Sequence, residues 1–344
     1  MRETTIMATA GPTLFDEEDL VYAIKEGVSD FRLHMGSRER DVCQYIKNIK
    51  NACLIANKDV GIFLDLPSSR PRVSKLPYME LEVGKEYIVN ENNSENNYIP
   101  IPGIEKFIEK LKVGERFLFR DGKITLLIKK IDPKNKLIYT NCVSCASKIG
   151  AGCSCVMPDS DIVYESVVQD DILVFDKMKK LCLFPNYIGV SFASNIDQLK
   201  KVKEIINSYW PDKGVKLIAK IENKKGIDNF MSILGYTDGV LIGRGDLALH
   251  IDSTLLPTIQ KEICEICNKE KKICIVGTEF FESYASTGVI SRPELTDVAC
   301  AARQRATSIM LSMESASSRY PLQTIKMVSE IIRNEYHNRI QIKN

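Results

Sequence analysis

One repeat constrains this chain more than any other feature. Eight short apolar runs, each brief enough to be a fully buried strand, recur along 344 residues with helix-patterned segments between them. They are TTIMATA (4–10), FRLHM (31–35), GIFLDL (61–66), YIGVSF (187–192), KLIAKI (216–221), GVLIGR (239–244), ICIVGT (273–278) and SIMLS (308–312). Between them apolar residues return at helical spacing: Val42, Tyr45, Ile46 and Ile49; Leu199, Val202 and Ile206; Ile227, Phe230, Ile233 and Leu234; Leu256, Ile259, Ile263 and Ile266; Leu322, Ile325 and Ile332. Buried strands alternating with amphipathic helices imply a parallel sheet, and the number eight favours closure over an open sheet. The expected fold is α/β, a (β/α)8 TIM barrel.

The alternation breaks once, between Leu66 and Tyr187, where YMELEVGKEYIVNEN, GERFLFRDGKITLLIKKI and NKLIYTN carry strand and turn signals without helical spacing. This predicts a β-rich domain over residues 73–157, inserted into a barrel formed by 1–72 and 158–344. Its place after the third strand puts it at the carboxyl-end face, where it would serve as a lid over bound substrate.

A formal net charge of +2, from 47 basic and 45 acidic residues, gives no electrostatic case for nucleic acid or a membrane surface as partner, so a small molecule is expected. No stretch approaches the ~20 apolar residues of a membrane span, and MRETTIMATA carries charges where a secretion signal needs an apolar core. A cytoplasmic location is the expectation.

In a closed α/β barrel the loops after the strands build the active site, so polar residues at the strand ends are functional candidates. The second run carries Arg32 and His34, the third ends near Asp65, and the fifth gives Lys220 and Glu222. The sixth gives Arg244 and Asp246, the seventh Thr278, the eighth Ser312 and Glu314. Glu222 and Asp246 on adjacent strands, beside the ammonium of Lys220, form a site for a hard cation such as magnesium or manganese, suited to phosphoryl chemistry. Gly245 permits a close turn, and DLALHI after it is expected to open a short helix whose amides hold an anion. The plainer alternative has Asp246 only capping that helix and Lys220 pairing structurally with Glu222; it requires coincidence at six strand ends.

KLIAKIENKKGIDNF and DGVLIGRGDLAL resemble the central motifs of the pyruvate kinase family. The resemblance extends through TAGP (9–12), FRLHMGS (31–37), LDLPSSRPR (64–72), RDGKI (120–124), SKIGAG (147–152), VGTEFFES (276–283), SRPELTDVA (291–299) and IMLSMESASSRYP (309–321). It implies phosphoryl transfer from phosphoenolpyruvate to ADP or another nucleoside diphosphate, giving pyruvate and ATP, with a divalent ion and usually potassium. By position, Lys220 would stabilise the phosphoryl group in flight, and Glu222 and Asp246 would hold the metal. Arg32, Arg72 and Pro12 would lie on the phosphate and nucleotide side. The amides around Gly245 and Asp246 would bind the substrate carboxylate together with Thr278, which would also stand near the carbon that is protonated.

Several positions depart from the family. His34 stands for Asn, Gly36 for Ser and Leu66 for Thr in the potassium site, leaving Asp65; Arg70 occupies the position where potassium-independent members carry a basic residue. The expectation is that Arg70, with Asp65, substitutes for the monovalent cation. Ser37, Pro67, Ile149 and Glu279 replace His, Lys, Lys and Gln on the nucleotide side. The chain ends at Asn344, soon after the helix following the eighth run, where the family continues into an allosteric domain. Sugar-phosphate allostery is therefore expected to be absent, with a monomer or a dimer through the barrel.

Of eleven cysteines, Cys142, Cys145, Cys153 and Cys155 fall in CVSCASKIGAGCSC, enough thiolates for a closed tetrahedral zinc site. The spacer is short for a zinc ribbon, so unligated thiols and reversible oxidation stand beside it as readings. Cys264 and Cys267, one helical turn apart, read as packing residues. Two rival functions remain open: a metal-dependent lyase or phosphotransferase on another pyruvate-like acid, and a degenerate relative that binds zinc or a protein partner.

Overall fold

Every one of the eight apolar runs forms a strand, and together they close on themselves. The computed structural model describes residues 3–36, 41–93 and 97–337. The strands are β1 (Thr5–Thr9), β2 (Val28–His34), β3 (Gly61–Leu66), β4 (Glu86–Asn90), β5 (Tyr98–Pro100), β6 (Arg116–Phe119), β7 (Ile124–Asp132), β8 (Leu137–Cys145), β9 (Tyr187–Val190), β10 (Lys216–Ile221), β11 (Gly239–Gly243), β12 (Ile273–Gly277) and β13 (Ser308–Leu311). The barrel runs β1-β2-β3-β9-β10-β11-β12-β13 and back to β1, with every pairing parallel. The expected (β/α)8 architecture is the observed one.

Two compact units divide the chain: Met1–Ser68, Ser166–Leu247 and Thr254–Asn344 make the first, Ser69–Glu165 with Ala248–Ser253 the second. The second holds a five-stranded sheet in the order β5-β4-β8-β7-β6, antiparallel except for β4 with β5. It is wider at both ends than the 73–157 expected from sequence. Its entry and exit are tied together, since Ser69 N–H donates to Glu165 O at 2.8 Å and Glu165 N–H to Ser69 Oγ at 2.8 Å.

The helix Val42–Ala56 buries Val42, Tyr45, Ile46 and Ile49, and Ile196–Tyr209 buries Leu199, Val202 and Ile206, as their spacing dictates. Two helical readings shift. The Ile227–Leu234 pattern is split into helices Lys224–Asp228 and Phe230–Tyr236 at Asn229, whose side-chain amide donates to Ser194 O at 2.8 Å. In Leu256–Lys269 the fully buried residues are Gln260, Ile263, Cys264 and Cys267, so the two cysteines pack as expected, while Leu256, Ile259 and Ile266 of the expected stripe are half-buried. Cysteine packs as a small apolar residue, and Cys264 Sγ lies 3.5 Å from Cys274 Sγ on β12, so the thiols draw the helix round.

Inside the barrel Met7, Phe63, Ile218, Leu241, Ile275 and Met310 form one buried apolar cluster. Side chains two residues apart on a strand share a face. Following Phe63 to Asp65 and Ile218 to Lys220 and Glu222 therefore leads from that cluster towards the carboxyl ends of β3 and β10. Gly189 on β9 leaves room for Phe63, because a Cβ there would stand 2.5 Å from the ring.

Asp171, 2% exposed, caps the helix Gln169–Lys180 by accepting from Val168 N–H at 2.9 Å. Burial, with Asp170 and Asp65 adding, pushes its carboxyl from the ordinary 3.8 up to about 6. Such a group lends stability fully below 3.8 and loses it as pH rises through about 6. Asp171→Asn is expected to be more stable than wild type at pH 8 by roughly 2–3 kcal/mol, with the gap closing by pH 4, in urea unfolding followed across pH.

Candidate active site

A chain of charged side chains lies at the carboxyl ends of β2, β3 and β10. Arg32 Nε donates to Asp65 Oδ2 at 2.7 Å, its Nη2 stands 2.6 Å from the same oxygen, and Nη1 donates to Thr9 Oγ1 at 3.0 Å. Lys220 Nζ lies 3.0 Å from Asp65 Oδ1 and 2.9 Å from Glu222 Oε1, and donates to Ser191 Oγ at 2.8 Å. Glu222 Oε2 accepts from Phe192 N–H at 2.9 Å, and Phe192 takes a left-handed φ of 52° to present it. Gly243 opposite leaves space for that carboxylate, since a Cβ there would meet Glu222 Cγ at 2.6 Å.

Burial of Asp65 is complete and by itself would raise its pKa; Lys220, Arg32 and His34 overcome that and hold the carboxyl well below the usual range. Burial likewise depresses the Lys220 ammonium, but Asp65 and Glu222 outweigh it and its pKa is raised. For Glu222 the balance tips the other way: burial, then repulsion from Asp246 and Asp65, push it up against the pull of Lys220.

That residual repulsion bears on metal binding. Glu222 shares its surroundings with two further carboxylates, Asp246 and Asp65, against the one ammonium of Lys220 at 2.9 Å. Hard divalent ions of the magnesium type bind through one or two carboxylates and complete their shell with water and substrate phosphate. Glu222 and Asp246 fit such an ion.

After β11 the helix Arg244–His250 begins, and after β12 the backbone turns left-handed at Thr278 (φ 74°) and Glu279 (φ 60°). The two turns meet where Gly245 N–H donates to Thr278 Oγ1 at 3.0 Å. A hydroxyl that accepts in this way keeps its own hydrogen to donate. Glu314 joins them from the short helix Met313–Ala316 after β13, accepting from Phe280 N–H at 3.1 Å and Ser312 N–H at 2.7 Å.

The structure thus unites Arg32, Asp65, Lys220 and Glu222, and pairs Gly245 with Thr278. Pro12 lies exposed in the turn Gly11–Leu14 beyond β1. Arg70 and Arg72 belong to the second unit, where Arg72 Nη1 donates to Ser154 Oγ at 3.0 Å and Gly152 O at 3.2 Å, and the Arg70 charge acts on the Cys155 thiol. Ser37 lies outside the described residues. Ser191 and Phe192 fall in no motif, and Thr9, although it opens TAGP, carries no role assigned from the sequence.

The zinc reading requires correction. Among the described residues no three His, Cys, Asp or Glu side chains converge as a metal site. Cys142 Sγ donates to Ser144 O at 3.6 Å, while Cys145 Sγ donates to Ser147 O at 3.2 Å and accepts from Leu81 N–H at 3.4 Å. Burial pushes the Cys142 and Cys155 thiols up. Asp65 is the member whose loss should matter most to stability: Asp65→Asn leaves the Arg32 guanidinium without a carboxylate and the buried Lys220 ammonium with Glu222 alone, at an expected cost of about 3–5 kcal/mol in denaturant unfolding at pH 7.

Comparison with known proteins bears on the chain as a whole. Residues 1–325 match the family pattern described as the barrel domain of pyruvate kinase. The chain is 30% identical to a pyruvate kinase of Dictyostelium discoideum over 96% of its own length and 66% of that protein's. With a Methanocaldococcus jannaschii pyruvate kinase it shares 28% identity, covering 97% of this chain and 69% of the relative. Among solved structures it resembles a pyruvate kinase from Cryptosporidium parvum, with a TM-score of 0.85 and 26% identity over 97% of this chain and 69% of that one. It spans about two thirds of the length of these relatives. With a buried lysine between two carboxylates at the mouth of a closed eight-stranded barrel, and these matches along it, the chain belongs to the pyruvate kinase family.

Proposed function

We propose that this chain moves the phosphoryl group of phosphoenolpyruvate to a nucleoside diphosphate, ADP by family likeness, using magnesium or manganese. The observation that carries the reading is the Lys220 ammonium, 7% exposed, fixed among Asp65, Glu222 and Ser191. In the reaction the phosphorus–oxygen bond to the enol breaks, a bond to the terminal diphosphate oxygen forms, and the enolate takes a proton on carbon.

The transferring group spreads negative charge over its equatorial oxygens, and a preorganised ammonium in a dry site stabilises that charge without reorganising. Lys220 is kept charged by Asp65 and Glu222, and Asp65 by Lys220 and Arg32. Glu222 and Asp246 would hold the divalent ion, which would supply charge neutralisation to the reacting group. Thr278 Oγ1, anchored by Gly245 N–H, has its hydroxyl hydrogen available to the substrate side. Arg32, Arg72 and Pro12 are assigned to the phosphates and nucleotide, and the Gly245–Asp246 backbone to the substrate carboxylate.

Activity is proposed to need no monovalent cation, with Arg70 and Asp65 in that role. Supporting this, both Asp65 oxygens already face cationic side chains. The His34 ring also fills the volume beside Gly36, where an added Cβ would meet His34 Cε1 at 2.5 Å.

A magnesium-dependent assay of pyruvate release with several nucleoside diphosphates tests the reaction. Lys220→Met is expected to lower kcat at least about a hundredfold; absence of turnover with every acceptor in wild type would overturn the proposal. Rates in sodium and potassium salts are expected to agree, and a gap of about tenfold, worth ~1.4 kcal/mol in the barrier, would remove the monovalent-cation part.

A further inference from the structure

Arg244 takes no part in the chemistry above, yet it is 6% exposed and heavily engaged. Its Nε and Nη2 both donate to Thr278 O, and Nε also reaches Gly277 O at 3.3 Å. Nη1 donates to Asp297 Oδ1 at 2.8 Å and to Gln260 Oε1 at 3.4 Å. The guanidinium carbon stands 4.1 Å from the centre of the Phe280 ring. Asp297 comes from the helix Arg292–Arg303 after β12 and Gln260 from the helix Leu256–Lys269 before it, so one side chain gathers both helices onto the end of that strand.

What it grips is strained. Thr278 and Glu279 are consecutive non-glycine residues at positive φ, and a β-branched threonine is among the residues least at ease there. Such backbone persists only where its surroundings over-determine it. Here a planar fork bonds the Thr278 carbonyl twice from one side while Glu314 holds Phe280 N–H. The same turn delivers Thr278 Oγ1 to Gly245 N–H, the residue after Arg244.

We infer that Arg244 is a positioning residue, whose guanidinium, oriented by Asp297, holds the Thr278–Glu279 turn left-handed and so fixes Thr278 Oγ1 against Gly245. The inference rests on the reading of Thr278 as a substrate-facing group. Lysine cannot reproduce the grip, because it lacks the rigid planar fork.

The test combines amide hydrogen exchange with kinetics on the whole chain. In Arg244→Met the Gly245 amide is expected to exchange about tenfold faster or more, while Val240 in β11 stays as protected as in wild type. Arg244→Lys should fall between, and Asp297→Asn, the variant to use if Arg244→Met does not fold, should shift Gly245 in the same direction. kcat with phosphoenolpyruvate should fall about tenfold to a hundredfold in Arg244→Met, KM for the nucleoside diphosphate changing little. Adding Glu279→Gly, which relaxes one strained position, should return part of the lost protection relative to Arg244→Met alone. Unchanged Gly245 exchange in folded Arg244→Met and Asp297→Asn overturns the inference. Faster exchange in protein that turns over no phosphoenolpyruvate even as wild type sustains the positioning role and overturns the proposed function instead.

Discussion

The site depends on the meeting of Asp65 with Arg32 and Lys220. A carboxyl with no exposure should be neutral, and an ammonium as deeply placed should lose its proton. Each is kept charged by the other, with Arg32 closing the set and Thr9 holding Arg32 in place. The arrangement stores charge in a dry part of the barrel, where a field acts on a reacting group with little screening. It also leaves Glu222 beside two further carboxylates, Asp246 and Asp65, and burial with their repulsion raises its pKa.

The barrel was legible because parallel strands buried on both faces must be continuous apolar runs, a signal that polar surface cannot imitate. All eight runs appear as strands within a residue or two, apart from β2, which begins earlier at Val28. In the helix Leu256–Lys269 the cysteines and Ile263 are buried as their spacing implied, and the residue that escaped notice is Gln260, a polar side chain that apolar counting passes over. The split at Asn229 depends on a carbonyl thirty-odd positions earlier, information that no local window contains.

At the site, charged residues at strand ends were visible because so few of them have another reason to interrupt a buried run. The supporting groups were not. Ser191 and Thr9 are ordinary hydroxyls in sequence, and the left-handed turns at Phe192, Thr278 and Glu279 fall on residues that carry no glycine to announce them. In the cysteine segment the spacing left a metal and unligated thiols side by side, and on β8 Cys142 and Cys145 each find a separate backbone carbonyl.

Gly243 has a consequence for how this barrel can vary. A methyl group at that place would collide with the stem of Glu222, so the two positions share one parcel of volume across neighbouring strands. Descendants of this chain can gain a side chain at position 243 only if the facing acid retreats in the same lineage, and shortening to aspartate does not suffice, because the Cγ that a new Cβ would meet is kept. The glycine of the GVLIG run and the acid after KLIAKI should accordingly change together or stay fixed together, a linkage imposed by space before any selection on chemistry begins.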